Sequence, residues 1–201
     1  MNKAEDLNNR IAYKLNRLDL EEYVPFWTKM DDYGKAVIHN RIKETPSLYQ
    51  KWLLCIVEEL CPKQVVELGA WRGISTCMLL AGMPKESKLY SVDNDSSSWE
   101  FAPDDPRLIK VLGDDLDINI YPEGTDLGKT DFWFIDTNHT QEFFQKERAV
   151  YEKFWKPGTV IAMDDVGKDH DFTLWKEWET LPYDKVELPT LHHTGFGMFI
   201  T

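Results

Sequence analysis

Two groups of residues in this chain have the types and spacing to do chemistry. The first is Glu67, Gly69, Gly73 and Asp93, within the stretch QVVELGAWRGISTCMLLAGMPKESKLYSVDND from Gln64 to Asp95. Gly69 and Gly73 lack a Cβ, so the backbone can turn tightly there and approach a ligand. Asp93 follows the apolar run 89–92, and an acid at a strand end can accept hydrogen bonds from the hydroxyls of a ribose. The spacing E-x-G-x-x-x-G differs from the G-x-G-x-x-G turn that cradles a pyrophosphate at a helix N-terminus. An acid at Glu67 repels phosphate and suits a ligand that carries an amine. The second group is Asp136, His139, Asp164 and Asp165. Three carboxylates brought to adjacent strand ends repel one another without a cation, and hard oxygen donors favour magnesium, manganese or calcium over zinc. Asp164 and Asp165 are neighbours and face opposite sides of a strand. Both can reach one ion only if the strand has begun to turn. His139 follows Asp136 by three residues and offers a base suited to neutral pH, since a free imidazole titrates near about 6.5.

These residues need elements to position them. Residues 65–68 read as a buried parallel strand, 74–81 as a helix and 89–92 as the next strand. The segments 107–112, 131–136 and 159–165 give strands three, four and five. Thr45 and Pro46 suit the start of a helix whose apolar positions run through Leu48, Trp52, Cys55, Ile56 and Leu60, and Pro62 closes it. Thr140 suits the cap of a helix through Phe143, Phe144, Val150, Tyr151, Phe154 and Trp155, and Lys156-Pro157-Gly158 ends it. A Trp-rich helix near 172–180 follows, and the segments LPTLHH and GFGMFI read as a terminal antiparallel pair. Five alternations of strand and helix predict an α/β fold with a parallel sheet covered on both faces. In such sheets ligands bind beyond the carboxyl ends of the strands, where both groups of residues fall. Residues 1–44 read as a polar N-terminal extension of short helices or loops, packed on a main domain over 45–201 as a lid. Trp71 and Trp133 read as packing residues.

The motif ELGAWRGIS, with Asp93 at the next strand end, resembles the class I S-adenosylmethionine (SAM)-dependent methyltransferases. Within them it is most similar to the metal-dependent O-methyltransferases, which include catechol, caffeoyl-CoA and macrolide-sugar enzymes. The resemblance covers about residues 46–201. It implies a doubly wound seven-stranded Rossmann-like sheet of order 3-2-1-4-5-7-6 with the last strand antiparallel. It also implies that Glu67, Gly69, Ala70, Gly73 and Ser75 line the methionine end of SAM, that Asp93 holds the ribose, and that Asp114 or Asp115 meets the adenine amino group. Asp136, Asp164 and Asp165 would hold a divalent metal, Mg²⁺ before Mn²⁺ or Ca²⁺. The chain departs from the catechol type in two places. It has Asp165 where those enzymes carry asparagine, and His139 where they carry a lysine base. A histidine there resembles the sugar and macrolide enzymes.

Composition sets outer bounds. The chain has 201 residues and a net charge of −12, so nucleic acid and anionic membrane are unfavoured as main partners, both of which need a basic face. The three cysteines have no C-x-x-C spacing and suit a reduced interior, which with MNKAEDLNNR at the start gives the expectation of a cytoplasmic protein. No apolar run is long enough for a membrane span. A homo-oligomer stays open.

The expected activity is methyl transfer from SAM to a hydroxyl of a small molecule such as a sugar, catechol or natural product. The metal would bind acceptor oxygens and His139 would take the proton. Three alternatives stand beside it: a metal-independent methyltransferase, a SAM- or nucleotide-binding module without catalysis, and, most distantly, a nicotinamide oxidoreductase.

Overall fold

The computed structural model of the chain describes residues 2–38, 49–168, 173–189 and 193–201. Seven strands form one sheet: β1 (Gln64–Leu68), β2 (Lys88–Asp93), β3 (Leu108–Leu112), β4 (Phe132–Ile135), β5 (Val160–Asp164), β6 (Asp184–Glu187) and β7 (Phe196–Ile200). Their order is β3-β2-β1-β4-β5-β7-β6. β1 to β5 pair in parallel, and β7 lies antiparallel to both β5 and β6. The expected architecture is therefore the observed one.

The central strands are apolar on both faces because helices cover both. On β4, Phe132 and Phe134 join one core while Trp133 and Ile135 join the other. On β5, Val160 and Ala162 divide from Ile161 and Met163 in the same way. Helices α3 (Tyr49–Leu60) and α4 (Ile74–Gly82) cover the first face, and α5 (Gln141–Tyr151) and α6 (Trp175–Thr180) the second. Thr140 caps α5 as expected, its side chain accepting from the Phe143 N–H at 3.3 Å. The proposed cap at Thr45-Pro46, and Leu48, lie outside the described residues.

The N-terminal segment forms α1 (Lys3–Leu15), a 3₁₀ stretch over Leu20–Trp27 and α2 (Asp32–Ile38). Asn2 and Glu5 close a reciprocal capping box at the start of α1. Leu7, Ile11, Trp27, Met30, Val37 and Ile38 are buried in the same core as α3 and α4. This segment thus shares the core of the first face.

The penultimate strand is not where the apolar reading put it. β6 is the preceding Asp184–Glu187; of LPTLHH, Leu188, Pro189 and His193 lie outside any strand, and residues 190–192 lie outside the described set. Among the described residues β6 pairs with β7 alone and forms a sheet edge. Edge strands carry charge, as Asp184, Lys185 and Glu187 do, and so lack the apolar signature of interior strands. The Leu188 N–H still bonds the Phe196 carbonyl at 2.7 Å, and Pro189, which has no N–H, follows it. The cysteines are free: Cys55 and Cys77 are buried, and Cys61 is exposed. No described helix is long and apolar enough to cross a membrane.

α3 and α4 touch through Gly82. A Cβ there would lie 2.5 Å from the Leu54 carbonyl oxygen and 2.6 Å from a Val57 methyl. Helix propensity alone would make Gly82→Ala stabilising by about 1 kcal/mol. Steric overlap with a helix backbone opposes this. We expect the variant to be less stable by about 1–3 kcal/mol in urea unfolding. Equal or higher stability would show that α3 can draw back freely.

Candidate active site

The carboxyl ends of the parallel strands open into a cleft of about 550 Å³, within the range of small-molecule sites. Four of the five strands contribute: Gly69 and Trp71 after β1, Asp93 and Asn94 from β2, Gly113 to Asp115 after β3, and Asp136 to His139 after β4. Val92 and Phe143 complete the lining.

Gly69 makes this arrangement sterically feasible. Its φ is +85°, and a Cβ would overlap the carbonyl oxygen of Asp136. Its N–H donates to the Val92 carbonyl at 3.0 Å, and the Asp136 N–H donates to Leu68 at 2.9 Å. The ends of β2, β1 and β4 are thereby held together at one point. The chain then turns through Arg72, at φ +57°, and Gly73, at φ +82°, into α4. The Arg72 guanidinium reaches Asp31 at 3.0 Å and Glu100 at 3.3 Å and lies over the Phe101 ring, so the N-terminal segment is clamped beside the cleft.

Asp93 closes the turn. One carboxylate oxygen accepts from the N–H groups of Ala70 at 2.9 Å and Trp71 at 3.2 Å, and the other from Asp95 at 2.9 Å. A carboxylate has about four lone-pair directions, so roughly one remains for a ligand. Asp114 is exposed and Asp115 half-buried at the cleft wall. Glu67, Ala70, Gly73 and Ser75 are buried and do not line the cleft. Glu67 accepts hydrogen bonds from Thr76 at 2.6 Å and Ser91 at 2.5 Å, and Trp99 donates to the Ser91 hydroxyl at 2.7 Å. Burial pushes its carboxyl up to about 7, against the pull of the Ser75, Ser91 and Thr76 hydroxyls.

The acids of the second group converge, with one exchange. Asp136, His139 and Asp165 have ligand atoms all within 4.8 Å of one another, and Asp164 stands outside that set. Asp165 has turned out of the strand at φ +59°, and its carboxylate contacts Nδ1 of His139 directly. Asp164 is buried at the end of β5, and after burial itself its charge is the main influence pushing Asp136 well above the usual carboxylate range. His139 is about half exposed, and Asp165 is nearly covered. Two carboxylates and an imidazole at this spacing suit a divalent first-row ion or magnesium.

Some of these features were not legible in the sequence. The Tyr49 hydroxyl donates to Asp136 at 3.0 Å while its ring stacks on Phe196 at 5.2 Å. A tyrosine on the buried face of a helix needs an acceptor for its hydroxyl, and that was the available signal. Glu147, buried on α5, accepts from Thr137 at 2.8 Å. It lies in register with Phe144 and Tyr151, so its place on the apolar face was readable from spacing. Trp133 packs as expected, but Trp71 does not: it is 63% exposed at the cleft rim, with Tyr33 edge-on at 6.4 Å. Position 71 falls in the turn beyond β1, outside either core. His193 is exposed near the last strand, and His192 lies outside the described residues.

Residues 66–166, half of the chain, match the family model described as a methyltransferase domain. The chain belongs to that family. It is 24% identical over 151 residues to a caffeoyl-CoA O-methyltransferase of Stellaria longipes, which covers 71% of this chain. The chain spans only 59% of the length of that curated relative. Among solved structures it resembles the O-methyltransferase TomG of Streptomyces achromogenes, in complex with SAM (TM-score 0.61, 21% identity, 100% of this chain and 99% of that one). It also resembles an O-methyltransferase of Bacillus cereus in complex with S-adenosylhomocysteine (SAH) (TM-score 0.57, 18% identity, 93% and 100%). This methyltransferase-family chain therefore shares the fold of O-methyltransferases.

The buried Glu67 gives a pH test. Its folded pKa lies above its ordinary value of 4.5, so the folded state binds its proton more tightly than the unfolded state. Its effect on stability is nil below about pH 4.5, becomes unfavourable as pH rises to about 7, and is constant beyond. The total is of the order of 3 kcal/mol. Subtracting the stability of Glu67→Gln from that of wild type across this range should reveal the fall. A pH-independent difference would mean that Glu67 ionises normally in the fold.

Proposed function

We propose that this chain is a SAM-dependent O-methyltransferase acting on a small hydroxylated acceptor, such as a sugar, a catechol or a natural product. The observation that carries the reading is the His139–Asp165 pair at the mouth of the cleft that Gly69 and Asp93 begin. SAM supplies an electrophilic methyl group. Asp93, held by three backbone N–H groups, would hold a ribose hydroxyl, and Asp114 or Asp115 the adenine amino group. Gly69 keeps its side of the cleft free of a side chain. Glu67, Ala70, Gly73 and Ser75 act on the methionine end only by shaping the turn. The relatives support this reading, since those solved with SAM or SAH share the fold. Family membership and the absence of lysine and arginine from the described cleft lining speak against a nicotinamide dinucleotide.

His139 would be the general base. Asp165 on Nδ1 fixes the ring and favours the tautomer with Nε2 free to take the acceptor's proton. Positioning the acceptor oxygen in line with the methyl group is worth up to about 7–11 kcal/mol, and the clamped loops after β1 and β4 serve that end. Asp136 and Asp165 would hold a divalent cation, with Asp164 adding charge behind them. Such an ion supplies Lewis acidity to an acceptor oxygen when bound. A metal-independent reading has a specific support of its own: the Asp165–His139 contact is already a complete orienter-and-base pair.

Calorimetry should detect SAH binding to the wild type, and Asp93→Ala should weaken it about tenfold, the worth of one hydrogen bond to a charged group. Equal affinities would remove Asp93 from the ribose assignment.

In single-turnover assays with a panel of catechols and sugars, His139→Ala should lower the rate by about 10²–10⁴-fold with SAH affinity nearly unchanged. Near wild-type rates would sink the base. EDTA separates the two readings. Lost activity restored by Mg²⁺ or Mn²⁺ supports the metal, whereas turnover that survives exhaustive chelation but fails in Asp165→Asn supports the pair alone.

A further inference from the structure

α3 delivers one side chain to the site without lining the cleft. Tyr49 is the first residue of that helix, it is 8% exposed, and the cleft wall does not include it. Its hydroxyl donates to a carboxylate oxygen of Asp136 at 3.0 Å. The ring is held on two sides. It stacks on Phe196 with centroids 5.2 Å apart and planes 24° apart, and it lies 6.0 Å from the Phe134 ring. Phe196 on β7 pairs in register with Asp164, and Phe134 precedes Asp136 by two residues on β4. The phenol is therefore seated beside both strand ends that carry the acids.

An aspartate side chain has two rotatable bonds, and the outer one has only a broad, shallow preference. Each rotation redirects both oxygens. A hydrogen bond from an immobile donor selects one orientation. Among the described residues Tyr49 is the one side-chain donor to Asp136. The phenol keeps its proton, because burial, and then the charges of Asp136 and Asp164, push it well above its ordinary range. Its hydroxyl is thus a constant donor, and the two stacked rings fix the direction from which it points.

We infer that Tyr49 is a positioning residue for the divalent cation: its hydroxyl, anchored by the Phe196 and Phe134 rings, sets the orientation in which Asp136 presents its carboxylate to the ion. The inference rests on the metal reading above, in which Asp136 is a ligand. It gives α3 a part in the site that no cleft-lining residue reveals. The helix packs into the core of the first face, and its first residue carries that rigidity to a ligand on the neighbouring strand end. Partners of this kind on ligating carboxylates typically contribute about 10–100-fold to metal affinity.

The test is Mn²⁺ binding to the full chain in excess SAH, read from the electron paramagnetic resonance signal of the free ion. Tyr49→Phe keeps the ring and its stacking and removes only the hydroxyl. Thermal unfolding confirms that the variant is folded. Its Mn²⁺ affinity should fall by about 10–100-fold, while its SAH affinity by calorimetry stays near that of wild type. Wild-type Mn²⁺ affinity in Tyr49→Phe overturns the inference and leaves the metal reading intact. A parallel loss of Mn²⁺ and SAH affinity also overturns it, because that pattern marks a general loosening of the strand ends. If Tyr49→Phe does not fold, Phe196→Leu replaces it. That variant withdraws the ring on which the phenol is stacked and keeps the hydroxyl, so Mn²⁺ affinity should again fall, and an unmoved affinity overturns the inference. No Mn²⁺ binding by wild type overturns both the inference and the metal reading.

Discussion

The close approach of Gly69 to the carbonyl of Asp136 is the contact on which the site depends. Two parallel strands, β1 and β4, end side by side, and the chain leaving β1 must pass over the end of β4. Any side chain at position 69 would push them apart. The left-handed turn then brings the Ala70 and Trp71 N–H groups onto Asp93, so the end of β2 is drawn into the same knot. Asp93 and Asp136 come from different strands and lie 43 residues apart in sequence, yet one glycine conformation fixes both. α4 leaves at its angle because Gly73 is left-handed too.

The cleft is acidic in a chain of net charge −12, and the structure handles that charge locally. Asp136 has the Tyr49 hydroxyl, Asp165 has His139, Glu67 has Thr76 and Ser91, and Glu147 has Thr137. All but His139 are neutral donors, which stabilise an ionised acid without cancelling its charge. The field at the strand ends is therefore negative wherever these acids are ionised. A ligand that brings positive charge gains from it, and one that brings phosphate loses. On the proposed reading, SAM, which carries a sulfonium and an amine, would be a ligand of the favoured kind.

Much of this was readable from the residues. The interior strands announce themselves as apolar runs because both faces are covered, and 65–68, 131–136 and 159–165 all became strands with bounds within a residue or two. β6 did not, because an edge strand is under no pressure to be apolar. The first group of site residues was legible as a motif, but its division was not. Which members face the ligand depends on strand phase and on the turn, and the structure turns Glu67 inward towards Thr76 and Ser91 while leaving Asp93 at the cleft. Partners across long sequence separations, such as Tyr49 with Asp136, leave no local pattern at all.

The second group shows the same limit more sharply. Period-two alternation required Asp164 and Asp165 to face opposite ways, and the left-handed Asp165 is how the chain resolves it. A non-glycine residue in that region is strained by about 1–2 kcal/mol, and the gain must exceed that cost. What Asp165 gains is His139, reached from the neighbouring strand end across the cleft mouth. Had the strand continued regularly, Asp164 and Asp165 would have pointed to separate cores, and each would have been a buried, unpaired acid. The turn keeps Asp164 behind Asp136 as a source of negative charge and delivers Asp165 to the imidazole. Backbone strain at this one residue thus converts a pair of adjacent acids into two different electrostatic roles, one on each side of the same strand end.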